Sequence, residues 1–427
     1  MSLKDSVFEE LKWRGMIHQI THPELPEILA KEKLTLYCGF DPTSDSLHIG
    51  SLLPIMGLVH FQRYGHQPIV LVGGGTGLIG DPSGKKDERQ LLSKEDVERN
   101  AQLIKEQLAH FISFEGENRA IMVNNADWLC ELRLTDFLRD IGKHFSVNVM
   151  LNKEAIKQRL EDREHGISYT EFSYCLLQSY DYLHLCKNYN CKLQVGGSDQ
   201  WGNIVSGIDL TRKLLGVETY GLTFPLVTKS DGSKFGKTES GNIWLDPKKT
   251  TPYRFYQFWV NQADADTPKY LRYFTLLSEK DIFELEEQLK TEPHKRTAQK
   301  TLAREITKIV HGETALQSAI KASEAMFGGD LKDLDISVLE DVFSDVPNYE
   351  FPKDVVGKEL QLLDLLVKAG FIQSKGEGKR LVKNGGLYIN NERVEDELLK
   401  LSGNMLLSGK LLIIRIGKKD YKLIRFT

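Results

Sequence analysis

Three stretches of this chain place cationic or hydrogen-bonding side chains on glycine-flanked turns, an arrangement suited to phosphate. In the first, residues 34–51 (LTLYCGFDPTSDSLHIGS), an apolar β-prone run ends in the turn formers Asp41-Pro42-Thr43-Ser44-Asp45. An apolar helical period follows Gly50, so the order is strand, loop, helix. Unsatisfied peptide N–H groups at a helix start, with the positive end of its dipole, attract anions. Thr43, His48 and the backbone at Gly50 fall at that spot, and Gly50 interposes no side chain. In the second stretch, GGGTGLIGDPSGKKDER, Asp81 can meet a small ligand. Lys85 and Arg89, an i,i+4 pair, can hold polyphosphate oxygens if that segment is helical. The third is Lys234-Phe235-Gly236-Lys237-Thr238 behind the turn Asp231-Gly232-Ser233. Its two lysines and hydroxyl can close over a leaving polyphosphate.

Other residues suit a small polar ligand. Ser168-x-x-Glu171 has the pattern of a capping box that opens a helix running to about Lys187. On that helix Tyr174, Gln178 and Asp181 are spaced i, i+4, i+7 and share one face, while leucines cover much of the rest. Polar groups on a largely buried face need partners, which a ligand carrying an ammonium and a hydroxyl supplies. In Gly196-Gly197-Ser198-Asp199-Gln200, two glycines after a strand again permit close backbone approach. The formal GxGxxG at 75–80 is not a dinucleotide site, because turn chemistry (Asp81-Pro82-Ser83-Gly84) follows where a helix should open. A Walker loop fails for want of a glycine five positions before Gly84-Lys85.

These residues require elements to hold them. Helix is expected over 5–30, 93–111 and 204–215, and largely over 127–165. Strands are expected over 34–40, 68–72, 120–123 and 191–195. Alternation of this kind implies a Rossmann-like parallel sheet in an α/β domain, with loops after Phe40, Val72 and Val195 at the strand ends that bind ligands. Residues 1–227 form this domain, and 127–165 a helical connection within it. Residues 221–247 read as a long exposed loop, and 228–248 as the mobile segment that carries KFGKT. Residues 249–328 read as a separate helical bundle and 329–354 as a loose acidic linker. Residues 355–427 read as a small α+β domain of two helices followed by strands. At 427 residues the chain exceeds one core. The net charge of −4 excludes nothing, but residues 351–427 carry about +6, as suits a tail that faces RNA. Five scattered cysteines without CxxC spacing, an N-terminus lacking an apolar signal core, and no run of 18 apolar residues predict a cytoplasmic protein outside any membrane.

Taken in order, these motifs resemble the class I aminoacyl-tRNA synthetases, and closely the bacterial-type tyrosyl-tRNA synthetases. His48-Ile49-Gly50-Ser51 is similar to the class's HIGH motif, and Lys234–Thr238 to its KMSKS motif. YCGFDPT, GGTGLIGDPSGK, EFSYxxLQxYD and QVGGSDQWGN complete the resemblance over the catalytic domain, which continues in outline through the rest. It implies that Tyr37 and Asp181 hydrogen-bond the substrate phenol and that Asp81, Tyr174 and Gln178 hold its ammonium. Gln194 and Gln200 then lie near the substrate. Cys38, Gly197 and Asp199 contact the ribose, with Gly39, Asp41 and Gly50 also on the ATP side. Thr43, His48, Lys85, Arg89, Lys234, Lys237 and Thr238 meet the ATP phosphates in the transition state. ATP is then a substrate, Mg²⁺ arrives through its phosphates, and no tightly bound cofactor or protein metal site is expected. The implied partners are L-tyrosine, tRNA(Tyr) and a second copy of the chain, with 127–165 as the interface region, 249–328 facing the anticodon stem and 355–427 binding RNA. In that last domain Lys375, Lys379, Arg380 and Lys383 fall on one helix start. Ser51 departs from the second His of HIGH, and Pro54 stands where a ribose-reaching side chain is common. These two departures predict altered ATP contacts with activity kept; Phe235-Gly236 also differs from Met-Ser, while both lysines remain. Two alternatives are a tryptophan–tRNA ligase, for which a phenol-reading Tyr/Asp pair makes little sense, and a non-catalytic RNA-binding paralogue, which would lack His48, Lys234 or Lys237.

Overall fold

The computed structural model describes residues 4–83, 92–161, 166–232, 235–238, 241–326, 328–332, 334–356 and 360–427. Lys85, Arg89 and Lys234 lie outside these. The N-terminal span expected as one helix is two, Val7–Trp13 (α1) and Leu25–Lys31 (α2), separated by a short strand, Gln19–Ile20 (β1). Gly15 at φ +73° ends α1, and Pro26 suits the first turn of α2. Then follow Thr35–Phe40 (β2), Leu52–Arg63 (α3), Gln67–Val72 (β3), Lys94–Leu108 (α4) and Ile121–Asn124 (β4). Short helices fill the next stretch: Ala126–Leu129 (α5), Leu134–Asp140 (α6), Val147–Leu151 (α7) and Glu154–Glu161 (α8). Tyr169–Tyr189 (α9), Cys191–Gly197 (β5), Trp201–Leu215 (α10) and Tyr220–Phe224 (β6) complete the sheet region.

Among the described residues the large sheet has the order β1-β6-β5-β2-β3-β4. Every neighbouring pair is parallel except β1 with β6, an antiparallel edge too short to carry a sequence signal. β6 corrects the expectation of a loop from 221: all five of its residues are buried. Gly and Thr within TYGLTF lowered its apparent apolarity, yet Gly221 is where Ile204 of α10 packs against the sheet. The chain leaves β2 toward β3 and β4, and later returns to β5 and β6 on the other side. The topological switch point therefore lies between the carboxyl ends of β2 and β5.

Beyond the sheet come a small hairpin, Lys237–Thr238 (β7) with Gly241–Asn242 (β8), and the helices Pro252–Val260 (α11), Thr267–Phe274 (α12), Glu279–Thr291 (α13) and Thr297–Ala325 (α14), the last interrupted by Gly312 at φ +82°. Contacts divide the chain into two units, Met1–Lys249 with Gln262–Val310, and Thr250–Asn261 with His311–Thr427. The 249–328 span, expected as a separate bundle, is thus shared between them.

In the second unit the acidic stretch 329–354 holds Ile336–Val342 (α15) and Asn348–Phe351 (β9), where a loose linker was expected. Its few apolar residues explain the order: Leu331, Leu339, Val342 and Phe343 are buried with Tyr421 and Leu423. Then come Leu362–Lys368 (α16), Lys375–Lys383 (α17), Leu387–Ile389 (β10), Glu392–Arg393 (β11), Leu411–Ile416 (β12) and Asp420–Phe426 (β13), as expected for two helices and then strands. The small sheet runs β11-β10-β12-β13-β9, with β9 parallel to β13.

Candidate active site

A cavity of about 520 Å³ opens at the switch point. It is lined by Tyr37, Cys38, Gly39, Asp41, Thr43, His48, Gly50, Asp81, Tyr174, Gln178, Asp181, Gln194, Gly197, Asp199 and Gln200, which are fifteen residues singled out from the sequence. Ser51 and Pro54, the two departures, line it as well, beside the apolar walls Leu71 and Phe224. Of Lys237 and Thr238 the backbone is described, as β7.

One end of the cavity is built to meet a hydroxyl. Asp181 of α9 is buried, and both carboxylate oxygens accept hydrogen bonds: Oδ1 from Trp128 Nε1 at 2.7 Å, Oδ2 from Asn125 Nδ2 at 2.9 Å. Burial outweighs these donors and pushes its pKa up to about 8. Tyr37 is also buried, edge-on to Tyr182 at 5.3 Å, and its hydroxyl has no hydrogen-bond partner. Burial, then the nearby Asp181, raises the Tyr37 pKa well above the ordinary phenol value. The Gln194 carbonyl oxygen is a second buried orphan on the same wall. Buried polar atoms without partners call for a ligand or ordered water.

The middle of the cavity is acidic. Tyr174 Oη donates to Asp41 Oδ2 at 2.7 Å and Thr76 Oγ1 to Asp41 Oδ1 at 2.7 Å, while Asn125 Nδ2 donates to Thr76 Oγ1 at 2.9 Å. Tyr174, Asp41, Thr76, Asn125 and Asp181 therefore form one continuous network. A Cβ on Gly73 would collide with the Asp41 carboxylate, so this turn requires glycine. Asp41, expected on the nucleotide side, here accepts from Tyr174 and Thr76. Opposite it, Asp81 accepts from Gln200 Nε2 at 2.7 Å and from the Ser83 N–H at 2.9 Å. Gln178 and Asn203 continue that set: Gln178 Nε2 reaches Gln200 Oε1 at 3.2 Å, and Asn203 Nδ2 reaches Gln178 Oε1 at 3.0 Å.

At the other end the backbone dominates. The Gly50 N–H donates to His48 Nδ1 at 3.0 Å, which leaves Nε2 to carry the proton of a neutral ring. A Cβ on Gly50 would stand 2.6 Å from His48 Cε1, so glycine here lets the imidazole fold over its own turn. Burial pushes the Cys38 thiol up to about 12, so it stays protonated.

α9 carries three of these residues, and a buried ion pair secures its start. Ser168 caps the Glu171 N–H, but the Glu171 side chain does not close the expected box. It pairs instead with Arg159 of α8 at 2.8 Å, both side chains 3% exposed or less. Asn125, Trp128 and Thr76 escaped the sequence reading. Asn124 ends β4 and Asn125 follows it, and polar residues at a strand's carboxyl end are the signal that could have found them.

A largely parallel sheet with a switch-point cavity and a HIGH-like turn defines a class I aminoacyl-tRNA synthetase. The family described as tRNA synthetases class I (W and Y) matches residues 29–328, and the tyrosine–tRNA ligase SYY-like C-terminal domain matches 338–424. A tyrosine–tRNA ligase of Roseiflexus castenholzii is 53% identical over 424 residues, 99% of this chain and 100% of that one. This chain belongs to the tyrosine–tRNA ligase family. Among solved structures, a C-terminally truncated mitochondrial tyrosyl-tRNA synthetase of Aspergillus nidulans matches at 30% identity and TM-score 0.68, covering 75% of this chain and 94% of that one. A tryptophanyl-tRNA synthetase of Encephalitozoon cuniculi bound to tryptophan is 14% identical at TM-score 0.52, over 73% and 86% of the two chains, a likeness of fold alone.

Proposed function

We propose that L-tyrosine lies in this cavity with its phenol between Tyr37 and Asp181 and its ammonium among Asp81, Tyr174 and Gln178, and that ATP extends from it past Gly39, Gly197 and Asp199 to Thr43 and His48. The chain is a tyrosine–tRNA ligase. The tyrosine carboxylate oxygen attacks the α-phosphorus of ATP, the bond to the bridging oxygen breaks, and pyrophosphate leaves. A hydroxyl at the 3′ end of tRNA(Tyr) then takes the tyrosyl carbonyl and AMP departs.

No side chain needs to become a nucleophile. The work is positioning, plus stabilisation of charge that grows on the leaving phosphates. His48 Nε2–H, Thr43 and the peptide N–H groups at the turn supply donors there, with Lys85, Arg89, Lys234, Lys237 and Thr238 assigned to the same task. Donors that tighten only in the transition state raise turnover without overbinding ATP. Magnesium enters with the nucleotide, carried mainly on its phosphates.

The observation that carries the reading is the orphaned Tyr37 hydroxyl facing an Asp181 whose two oxygens are already held by protein donors. A phenol both accepts from Tyr37 and donates to a remaining lone pair of Asp181; phenylalanine leaves the buried Tyr37 hydroxyl unpaired and covers the carboxyl without a donor, which is strongly unfavourable. ATP–pyrophosphate exchange run with tyrosine, tryptophan and phenylalanine, without tRNA, tests this. Wild type should turn over with tyrosine alone, and Asp181→Ala should lose most of the tyrosine rate and its preference over phenylalanine. Retained discrimination in Asp181→Ala would sink the phenol assignment.

A homodimer is part of the proposal. Leu134, Val147 and Val149 within 127–165, with Tyr169 just beyond, are 70, 58, 64 and 74% exposed, an apolar surface that a second copy would cover. No helix among the described residues is long and apolar enough to cross a membrane. We assign the protein to the cytoplasm, with α17 and its neighbours in the second unit binding tRNA.

A further inference from the structure

The turn that carries His48 is stitched to the segment that follows the Lys237 hairpin. Ile49 N–H donates to the Ile243 carbonyl at 3.0 Å, and Leu245 N–H donates to the Leu47 carbonyl at 2.8 Å, so His48 and Trp244 face each other across an antiparallel bridge. Ile243 also donates its own N–H to the Gly236 carbonyl at 3.2 Å. One residue thus bonds the KFGKT arm on one side and the histidine turn on the other.

Side chains reinforce the ladder. The Trp244 ring meets the His48 imidazole edge-on, with centroids 6.1 Å apart at 65°. Lys249 sits over the Trp244 ring, Nζ 4.7 Å from its centroid, and pairs with Asp45 in the turn that leads to His48. That contact holds the Asp45 carboxyl below its usual range. Phe235 is a second anchor: it stacks on Phe274 at 5.7 Å and tilts onto Tyr270 at 5.0 Å. Between the anchors, Gly236 at φ +84° passes Ile49 so closely that a Cβ would lie 3.0 Å from Cγ1. Phe235 and Gly236, which depart from Met-Ser, fit these two tasks.

We infer that Trp244 is a positioning residue for adenylate formation: it registers the arm bearing Lys237 and Thr238 against the imidazole of His48, so that both phosphate-binding segments share one frame. The inference rests on the proposed role of His48 at the ATP phosphates. Trp244 touches no substrate in this scheme; it acts through His48 and through the ladder at Ile243.

The test uses the full chain, with Trp244→Ala, Trp244→Phe, His48→Ala and the double variant Trp244→Ala/His48→Ala. ATP–pyrophosphate exchange gives kcat and KM, and equilibrium dialysis gives tyrosine affinity. A misplacement of about 1 Å can lower a rate 10²-fold, so Trp244→Ala should lose on the order of 10–10² in kcat. Tyrosine affinity should hold, Trp244→Phe should recover most of the rate, and the Trp244→Ala loss should shrink when His48 is already absent. Independent losses that multiply, tyrosine affinity falling in step with kcat, or Trp244→Phe no better than Trp244→Ala would each overturn the inference. An undiminished rate in His48→Ala would instead remove the reading beneath it. If Trp244→Ala does not fold, Trp244→Phe and Lys249→Met on the two His48 backgrounds ask the same question.

Discussion

Asp181 shows how far burial can move one side chain from ordinary ionisation. Its raised pKa, about 8, means that the folded chain holds a proton there which the unfolded chain releases near the usual carboxylate value. The sign follows from linkage: between about pH 4 and 8 the folded state binds the extra proton, so this group's stabilisation is complete at the acid end and is lost as pH rises through 8. Asp181→Asn removes the titration. The melting temperature of wild type should therefore fall more between pH 5 and pH 8 than that of Asp181→Asn, measured side by side by scanning calorimetry. Parallel pH profiles would mean that the carboxyl is ionised in the empty cavity after all. At this scale sequence was informative about identity and poor about partners. Tyr37 and Asp181 were singled out, but Asn125 and Trp128, which hold the carboxylate, were not. Partnership is a matter of distance across 56 and 53 residues of chain, and no local pattern records it.

Elements were legible where a period is long and illegible where it is short. α9 announced itself through the Ser168 cap and an apolar period, and the parallel strands β2, β3, β4 and β5 were close to expectation. β1 has two residues, too few for any period, and β9 exposes three of its four residues, which leaves no alternation to read. α9 also depends on a neighbour that its own sequence does not name. Breaking a buried ion pair by removing one partner costs roughly 3–5 kcal/mol, whereas replacing both by apolar groups is often neutral. Glu171→Ala should thus lower the urea midpoint strongly, and Arg159→Met/Glu171→Leu should regain much of the loss. A double variant as unstable as the single would show that the pair itself is not what fastens α8 to α9. Because α9 carries Tyr174, Gln178 and Asp181, Glu171→Ala should also weaken tyrosine binding, which equilibrium dialysis reads directly.

For the molecule as a whole, charge is divided by function. The second unit's basic helix α17 carries Lys375, Lys379, Arg380 and Lys383. Lys375 pairs with Asp364 at 2.6 Å, and Lys379 lies 3.8 Å from Glu397. Those pairs are exposed and weak, yet they lessen what each lysine offers a phosphate. Arg380→Ala/Lys383→Ala should therefore reduce tRNA affinity more than Lys375→Ala/Lys379→Ala. The slope of log affinity against log salt should flatten by roughly 0.7–0.9 per lost phosphate contact. Exchange of ATP and pyrophosphate should be untouched in both, since no tRNA takes part. An equal fall in exchange and in tRNA binding would place these residues outside RNA recognition.

Residue types, motif spacing and long apolar periods determined the class of fold, and the family resemblance carried by those motifs implied the catalytic chemistry and much of the cavity's lining, because motifs and periods are properties of short stretches of chain. Tertiary structure alone decided the rest: the network from Tyr174 through Asp41, Thr76 and Asn125 to Asp181, the pinning of the loop at Trp244, and the ordering of the acidic stretch 329–354. All three arise from contacts between groups far apart in sequence, whose energy appears only once the sheet has brought them within hydrogen-bonding or packing distance.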